Sequence, residues 1–251
     1  MNKGLRLGIL AAGLLLLWQL LVSLSGVPPY ILPGPLPVAR ALAIHLPVLG
    51  PHLVTTLTEI VLGLLLGTVL GTSTALAMIV SPLLKRWMLP ILVISQAIPV
   101  FALAPVLVLW FGYGMGSKVV MAVLIIYFPV TASFYGGMRR TDPDLLELAR
   151  IMGARPLAVL RTIVIPAALP AFASGVRVAT AVAPIGAVVG EWVGSSAGLG
   201  FLMLHANGRM QIDLMFAALT LLAVVSLALY FCIDRLQAGR SEEHTSELQS
   251  H

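Results

Sequence analysis

Apolar residues dominate the chain in runs long enough to cross a bilayer, and short polar segments separate these runs. A continuous apolar stretch of about 18 or more residues is typical of a transmembrane helix. The expected fold class is therefore an all-α polytopic membrane protein with about six transmembrane helices. The predicted spans are Leu5–Leu24, Leu53–Val80, Leu89–Phe111, Val119–Gly137, Ala167–Val189 and Ile212–Ile233.

The composition argues against a soluble domain. The 251 residues are 59% hydrophobic and 10% charged, whereas a soluble domain is about a quarter charged. Cys232 is the sole cysteine and stands in an apolar run. We therefore expect it to fill space between helices, and we expect no disulfide within the chain.

The sequence lacks the motifs that catalysis or cofactor binding would need. A phosphate-binding Walker A loop requires the order G-x-x-x-x-G-K-[ST]. The segment 112–118, GYGMGSK, has Ser and Lys in the wrong order and is expected to be a turn. The histidines are scattered and offer no metal-ligand spacing. We expect no catalytic residue, no metal site and no cofactor site. We therefore do not expect the protein to be an enzyme.

Lys and Arg residues are distributed unevenly between the two sides of the predicted bundle. With the N-terminus inside, the three outer residues are Arg40, Lys118 and Arg209. The ten inner residues are Lys3, Arg6, Lys85, Arg86, Arg139, Arg140, Arg150, Arg155, Arg161 and Arg235. The positive-inside rule then places both termini in the cytoplasm. Topology accounts for the net charge of +5, so no nucleic-acid partner is implied.

The two ends of the chain differ from its middle, and we expect three parts: residues 1–52, 53–239 and 240–251. Lys3 and Arg6 before the first apolar run resemble a signal peptide, but the length of that run favours an uncleaved anchor. A proline-rich external segment follows it. The last twelve residues, RSEEHTSELQSH, resemble a translated sequencing adapter and are predicted to be non-native, with a polar disordered tail as the alternative.

The polar segment between spans four and five is predicted to form two short helices joined by a sharp turn. Asp142 can cap a helix that begins at Pro143, and Gly153 can adopt the left-handed conformation that ends it. Pro156 can begin a second helix, which is expected to end at Pro166. One face of the first helix is apolar, so it contacts either the protein's own span ends or another protein. The residues of this stripe are Leu145, Leu148, Ala149 and Met152.

This loop resembles the signature of ABC importer permeases, which is E-A-A, three residues, Gly, nine residues, then I-x-L-P. The corresponding residues are Glu147, Leu148, Ala149, Gly153, Ile163, Ile165 and Pro166. Every spacing is kept, and only Leu148 and Ile165 depart from the pattern. The resemblance implies that the loop, residues 138–166, couples the permease to an ATPase subunit.

The resemblance extends from Leu53 to Leu236, in the branch that imports sulfonates, taurine, nitrate and thiamine precursors. Residues 190–219 are most similar to permeases for hydroxymethylpyrimidine-type thiamine precursors. The resemblance to this family implies a type I ABC importer transmembrane domain in the bacterial plasma (inner) membrane. The expected partners are a second permease copy, two ATPase subunits that bind ATP, and an external substrate-binding protein. Sulfonate, taurine or nitrate is the alternative substrate.

Two ladders of glycines recur every fourth residue, a spacing that lets helix backbones approach closely in lipid. One lies in span two and the other at the outer end of span five. They serve either packing within one chain or the seam between two permeases. The residues are Gly63, Gly67, Gly71, Gly186, Gly190 and Gly194.

Prolines and polar residues inside the spans mark candidates for the translocation path. Irregular backbone at membrane depth is tolerated only where protein or water satisfies it, although simple kinking is the alternative. Intramembrane polar residues are costly and often functional. Gln96, Pro99 and Glu191 are therefore the candidate path or gate residues, while Glu59 is expected only to reach the interface.

Two other classes of function compete with an importer subunit. A secondary transporter driven by an ion gradient would need paired intramembrane acids or inverted repeats. The only candidate acids are Glu59 and Glu191, and no repeat is visible. A membrane enzyme would need a polar catalytic cluster, which the sequence does not contain.

Overall fold

The computed structural model describes residues 3–249, and within this part of the chain the regular elements are helical. In chain order they are α1 Lys3–Ser25, α2 Pro35–Ile44, α3 Leu46–Val80, α4 Pro82–Ala97, α5 Val100–Phe111, α6 Met115–Arg139, α7 Pro143–Ile151, α8 Pro156–Val159, a π-helical turn Leu160–Val164, α9 Ile165–Gly194, α10 Leu199–Gly208 and α11 Ile212–Gln249.

The helices confirm a polytopic all-α protein with about six spans. Helices α1, α3, α6 and α11 and the continuous unit Pro156–Gly194 are long and apolar enough to cross a membrane. Helices α4 and α5 together form a sixth candidate span, bent by 102°. The predicted span Leu89–Phe111 is therefore interrupted, and of the two alternatives at its prolines the structure has a break at Pro99 and not a simple kink. Pro99 restricts Ile98 to an extended backbone (φ −86°, ψ 119°), and this ends α4.

Helix α6 is the centre of the bundle, and α3 and α9 pack against it and against each other. Their shared core is built mainly from small and branched side chains, including Ile60, Ala122, Ile126 and Ala183. We call the two ends of the bundle the α7 end and the α10 end. At the α7 end, a second core surrounds Phe134. At the α10 end, α2, α10 and α11 enclose a third.

Helix α1 lies outside this core, and its apolar side chains are exposed on the bundle surface. Trp18 attaches it to the rest of the molecule. The indole Nε1 donates a hydrogen bond to the carbonyl of Pro33 at 3.1 Å, and the ring lies 6.3 Å from Phe216 on α11. This arrangement is the one expected of a membrane anchor, whose retention in the mature protein stays a prediction.

Two predicted boundaries are wrong. The helix that begins at Pro156 does not end at Pro166 but continues through the π-helical turn into α9. Because proline lacks an N–H and its ring crowds the preceding turn, the wider π turn before Pro166 accommodates it. Helix α11 continues past the predicted Ile233 to Gln249. The non-native origin of residues 240–251 stays a prediction, and Ser250 and His251 lie outside the described residues.

Candidate functional site

The α7–α8 turn protrudes from the α7 end, and its local sequence fixes its shape. The side chain of Asp142 accepts a hydrogen bond from the Asp144 amide at 2.9 Å and caps α7. Gly153 has a φ of +73°, the left-handed conformation that its position predicts. The amide of Ala154 donates to the Ala149 carbonyl at 3.0 Å across this turn. A rigid, closed turn results.

The apolar stripe of α7 divides between the two predicted surfaces. Ala149 is buried, so one edge of the stripe rests on the protein's own spans. The other edge is open: Ile151 and Met152 are 77% and 76% exposed, and Leu148 and Leu157 are more than half exposed. An apolar surface at the tip of a polar turn is typical of a protein-binding site.

The remaining signature residues lie on both sides of this turn. Glu147 is exposed on α7, one turn before the open apolar edge. Ile163 and Ile165 are half-buried, and Ile165 packs against the core at the α7 end. Pro166 is exposed beside them. The structure therefore brings the signature together as one element, with its first half presented outward and its second half anchored in the bundle.

Gln96 and Pro99 lie at the break between α4 and α5, and both are exposed. Backbone at such a break has unsatisfied polar groups, which bare lipid cannot hydrogen-bond. The break therefore needs protein or water beside it. This is the environment expected of residues that line a path or a seam between subunits, and their role in the path stays a prediction.

Glu191 has a different environment from the other two path candidates. It is 1% exposed, and its carboxylate accepts hydrogen bonds from Thr56 Oγ1 at 2.6 Å and from the Gly200 amide at 2.5 Å. Gly198 has a φ of +112°, and a Cβ there would overlap the same carboxylate. In this chain Glu191 therefore holds the segment 195–200 that joins α9 to α10. A role as a gate stays a prediction.

Five of the six ladder glycines lie against α6 within the chain, and Gly194 lies against α5. A Cβ on Gly63 would lie 2.5 Å from the Ala122 Cβ, and one on Gly67 would lie 2.6 Å from the Ile126 Cγ2. On α9, a Cβ on Gly186 would lie 2.8 Å from the Ala122 Cα. The outer members have similar close neighbours: Gly71 meets Val130 and Thr131, Gly190 meets Lys118, and Gly194 meets Val108. The ladders thus let α3 and α9 approach α6 closely.

The structure also brings together polar residues that the sequence did not connect. Glu59 is fully buried, not interfacial, and Lys118 lies inside α6, not in an external loop. Lys118 is 5% exposed, and its Nζ lies 3.8 Å from Glu59 Oε1. Arg177 pairs with Asp234 of α11 at 3.2 Å. The one signal in the sequence for this contact is a lysine beside a predicted span, because a buried charge in a membrane needs a partner.

The sequence matches a known protein family and named relatives within it. The family model described as "Binding-protein-dependent transport system inner membrane component" matches residues 46–239. A "Probable ABC transporter permease protein" of Haemophilus influenzae is 59% identical, covering 89% of this chain and 91% of its own length.

Two further relatives carry more specific descriptions. The riboflavin transport system permease protein RibX of Chloroflexus aurantiacus is 39% identical, over 89% of this chain and 84% of its own. The formylaminopyrimidine transport permease protein ThiX of Halalkalibacterium halodurans is 36% identical, over 89% and 90%. A solved structure of the MetNI methionine ABC transporter is similar in fold, with a TM-score of 0.64 at 21% identity, over 74% of this chain and 92% of the solved chain.

Proposed function

The chain belongs to the family of binding-protein-dependent transport system inner membrane components and is an ABC importer permease subunit, and we propose that two copies form the pore of an ATP-driven importer. ABC permeases of this family work with ATPase subunits and binding proteins. The observation that carries the proposal is the exposed α7–α8 turn, whose open apolar edge surrounds the signature residue Gly153. One ATPase subunit docks on the turn of each copy.

The proposed orientation follows from the charge distribution. The α7 end, which carries Arg150, Arg155 and Arg161, faces the cytoplasm. The α10 end faces the outside of a bacterial inner membrane and receives the binding protein. Lys118 lies in the first turn of α6, at the α10 end, so it stays among the three outer basic residues. Both termini are then cytoplasmic, with residues 53–239 as the transport domain and residues 240–251 as a non-native tail.

Closure of the ATPase dimer pulls the two α7–α8 turns together and switches the pore between outward and inward access. Helix α8 is continuous with α9 through the π-helical turn, so a movement of the turn is transmitted directly to a spanning helix. Gln96 and Pro99, at the exposed break between α4 and α5, line the path in this proposal. The chain itself performs no covalent chemistry.

The rival class, an ion-driven secondary transporter, gains one observation from the structure. Glu59 and Glu191, the paired acids that such a transporter needs, are neighbours in the interior. The test is uptake by proteoliposomes containing the permease, its ATPase and its binding protein. We expect uptake that requires ATP inside and persists when ionophores collapse all ion gradients. Uptake that is independent of ATP and stops with the ionophore would reject the importer.

We propose a pyrimidine precursor of thiamine as the substrate. Residues 190–219 resemble permeases for such precursors, and the 36% identical relative transports formylaminopyrimidine by its description. The 39% identical relative is described as a riboflavin permease, so the substrates in both descriptions are nitrogen heterocycles. In a strain unable to make the pyrimidine, deletion of this gene should stop growth on low precursor while thiamine still rescues. Normal growth there, with a defect on riboflavin, taurine or alkanesulfonate, would reassign the substrate.

A further inference from the structure

Four polar side chains from three helices meet in the interior near the α10 end. Glu59 and Thr56 come from α3, Lys118 from α6 and Glu191 from α9. Their exposed fractions are 0%, 1%, 5% and 1%, respectively. Burial of this kind is costly unless every charge is balanced and every polar atom has a partner.

The two acids are supplied with donors very unequally. Glu191 accepts from the Thr56 hydroxyl and the Gly200 amide, so both of its oxygens are satisfied as a carboxylate. Among the residues that the structure describes, neither oxygen of Glu59 has a hydrogen-bond donor. Its nearest cation, Lys118 Nζ, is 3.8 Å away, a distance beyond a direct hydrogen bond. Glu59 lies on α3 one turn from Thr56, the residue that donates to Glu191, so the two buried carboxyls are neighbours.

A proton shared by the two acids removes the excess negative charge and supplies the missing donor. Two ionised acids and one ammonium would leave a net negative charge in a site closed to water. Two facing carboxylates also present only acceptors to each other. A proton on Glu59 makes it a donor toward Glu191, and the remaining negative charge then balances Lys118. The neighbouring titratable group is His52, whose Nδ1 accepts from the Gly198 amide at 3.0 Å, so this nitrogen carries no proton.

We propose that Glu59 and Glu191 hold one shared proton, with Lys118 as the counter-ion, and that this neutral cluster clamps the segment 195–200 to α3. Three backbone amides of the segment donate hydrogen bonds: Gly198 to His52, Leu199 to Thr56 and Gly200 to Glu191. In the clamp, Glu191 is the positioning residue, because it contacts both the segment and α3. Glu59 carries the proton.

The first test is infrared spectroscopy of the purified full chain in lipid nanodiscs at neutral pH. We expect a C=O stretching band of a protonated carboxylic acid. Both Glu59→Gln and Glu191→Gln should abolish it, because either variant leaves one carboxylate paired with Lys118. The exposed Asp144→Asn is the matched control and should leave the band intact. Absence of the band from the parent, or its loss by only half in each variant, would overturn the shared proton.

The second test separates the clamp from the proton. Hydrogen exchange of residues 198–201 should be roughly tenfold faster in Glu191→Gln, since an amide side chain cannot accept at both positions. In Glu59→Gln the exchange should stay near the parental rate, because an amide still donates to Glu191. Equal exchange in Glu191→Gln and the parent would overturn the clamp. These two readouts do not depend on the proposed importer function.

A third readout, which does rest on that function, links the clamp to transport. ATP-driven uptake should fall roughly tenfold in Glu191→Gln, in parallel with the loosened segment, and stay near parental in Glu59→Gln. Unchanged uptake in Glu191→Gln, with faster exchange, would overturn the link of the clamp to transport. It would leave the importer function intact, since the parent still transports.

Discussion

Thr56 Oγ1 donates a hydrogen bond to Glu191 Oε1 over 2.6 Å, although 135 residues separate the two in the chain. The same hydroxyl accepts from the Leu199 amide at 2.8 Å. One buried side chain therefore joins α3, α9 and the start of α10. No substitution that lacks the hydroxyl can replace both bonds.

Removal of this hydroxyl should destabilise the α10 end. Thr56→Val keeps the shape but leaves the Glu191 carboxylate and the Leu199 amide short of a partner, at a cost of about 1–3 kcal/mol for each unsatisfied group. We expect a lower thermal midpoint for the purified protein in detergent. Thr56→Ser, which keeps the hydroxyl, is the matched control and should lose less. An unchanged midpoint in Thr56→Val would show that these bonds contribute nothing net.

The sequence predicts the local features well and the long-range polar contacts poorly. Six spans follow from apolar run length, and the α7–α8 turn follows from Asp142, Gly153 and Pro156, because each acts on its immediate neighbours. Spacing alone also identifies both glycine ladders. It cannot say which helix each ladder meets.

The contacts of Glu59 and Lys118 could not be predicted, because the two residues are 59 positions apart and the sequence does not say which helices are neighbours. Glu59 reads as interfacial and Lys118 as a loop residue from run boundaries alone. The bend at Pro99 is a similar case. A proline permits a kink or a full break, and packing of α5 against α6 and α9 decides between them.

The packing of the glycine ladders can be tested with two substitutions, of which the second should compensate for the first. In Gly63→Ala the new methyl would lie 2.5 Å from the Ala122 Cβ, and overpacking of this kind costs about 1–3 kcal/mol. We expect a lower thermal midpoint and less folded protein in the membrane. Gly136→Ala on α6, whose Cβ would approach only the end of the Arg140 side chain at 4.0 Å, is the control.

Ala122→Gly removes the opposing methyl and should restore part of the stability lost in Gly63→Ala. A double mutant no more stable than Gly63→Ala would mean that the ladder does not act through this contact. If instead Gly63→Ala is as stable as the parent but fails to pair with a second permease, the ladder would belong to the seam between subunits.

Thiol labelling can determine the orientation of the bundle. Cys232 is exposed and does not fill space between helices of this chain, contrary to the prediction, so the parent for this experiment is Cys232→Ser. Ile31→Cys and Met210→Cys place thiols at exposed positions near the α10 end, and Ala154→Cys places one on the α7–α8 turn. In intact cells an impermeant reagent should label positions 31 and 210 but not 154. Labelling of position 154 alone would invert the topology.

Residues 240–251 should contribute nothing to folding or transport. They resemble translated adapter sequence, and the family match ends at residue 239. Deletion of this segment should leave membrane level, thermal midpoint and uptake unchanged. A clear loss in any of these would show that the segment is part of the working protein. Resequencing of the locus should reveal a different C-terminus.

The backbone conformation of Gly153 gives the sharpest test of the coupling turn. Its φ of +73° suits glycine, and a Cβ at this position would have no described atom within 4 Å, so space is not the obstacle. A β-branched residue there is strained by about 1–2 kcal/mol, whereas asparagine tolerates the left-handed region. Gly153→Val should therefore distort the turn, and Gly153→Asn should preserve it. The spans lie elsewhere, so both variants should insert at normal level.

The readout is binding of the ATPase subunits and binding-protein-stimulated ATP hydrolysis in proteoliposomes. Gly153→Val should lose both together with uptake, and Gly153→Asn should keep most of each. Glu147→Lys should also reduce coupling, because it reverses the charge of a signature residue one turn before the open apolar edge. Glu147 is exposed, so its loss acts on the partner contact, not on folding. If Gly153→Val and Glu147→Lys both retained parental stimulation and uptake, the α7–α8 turn would not be the coupling element.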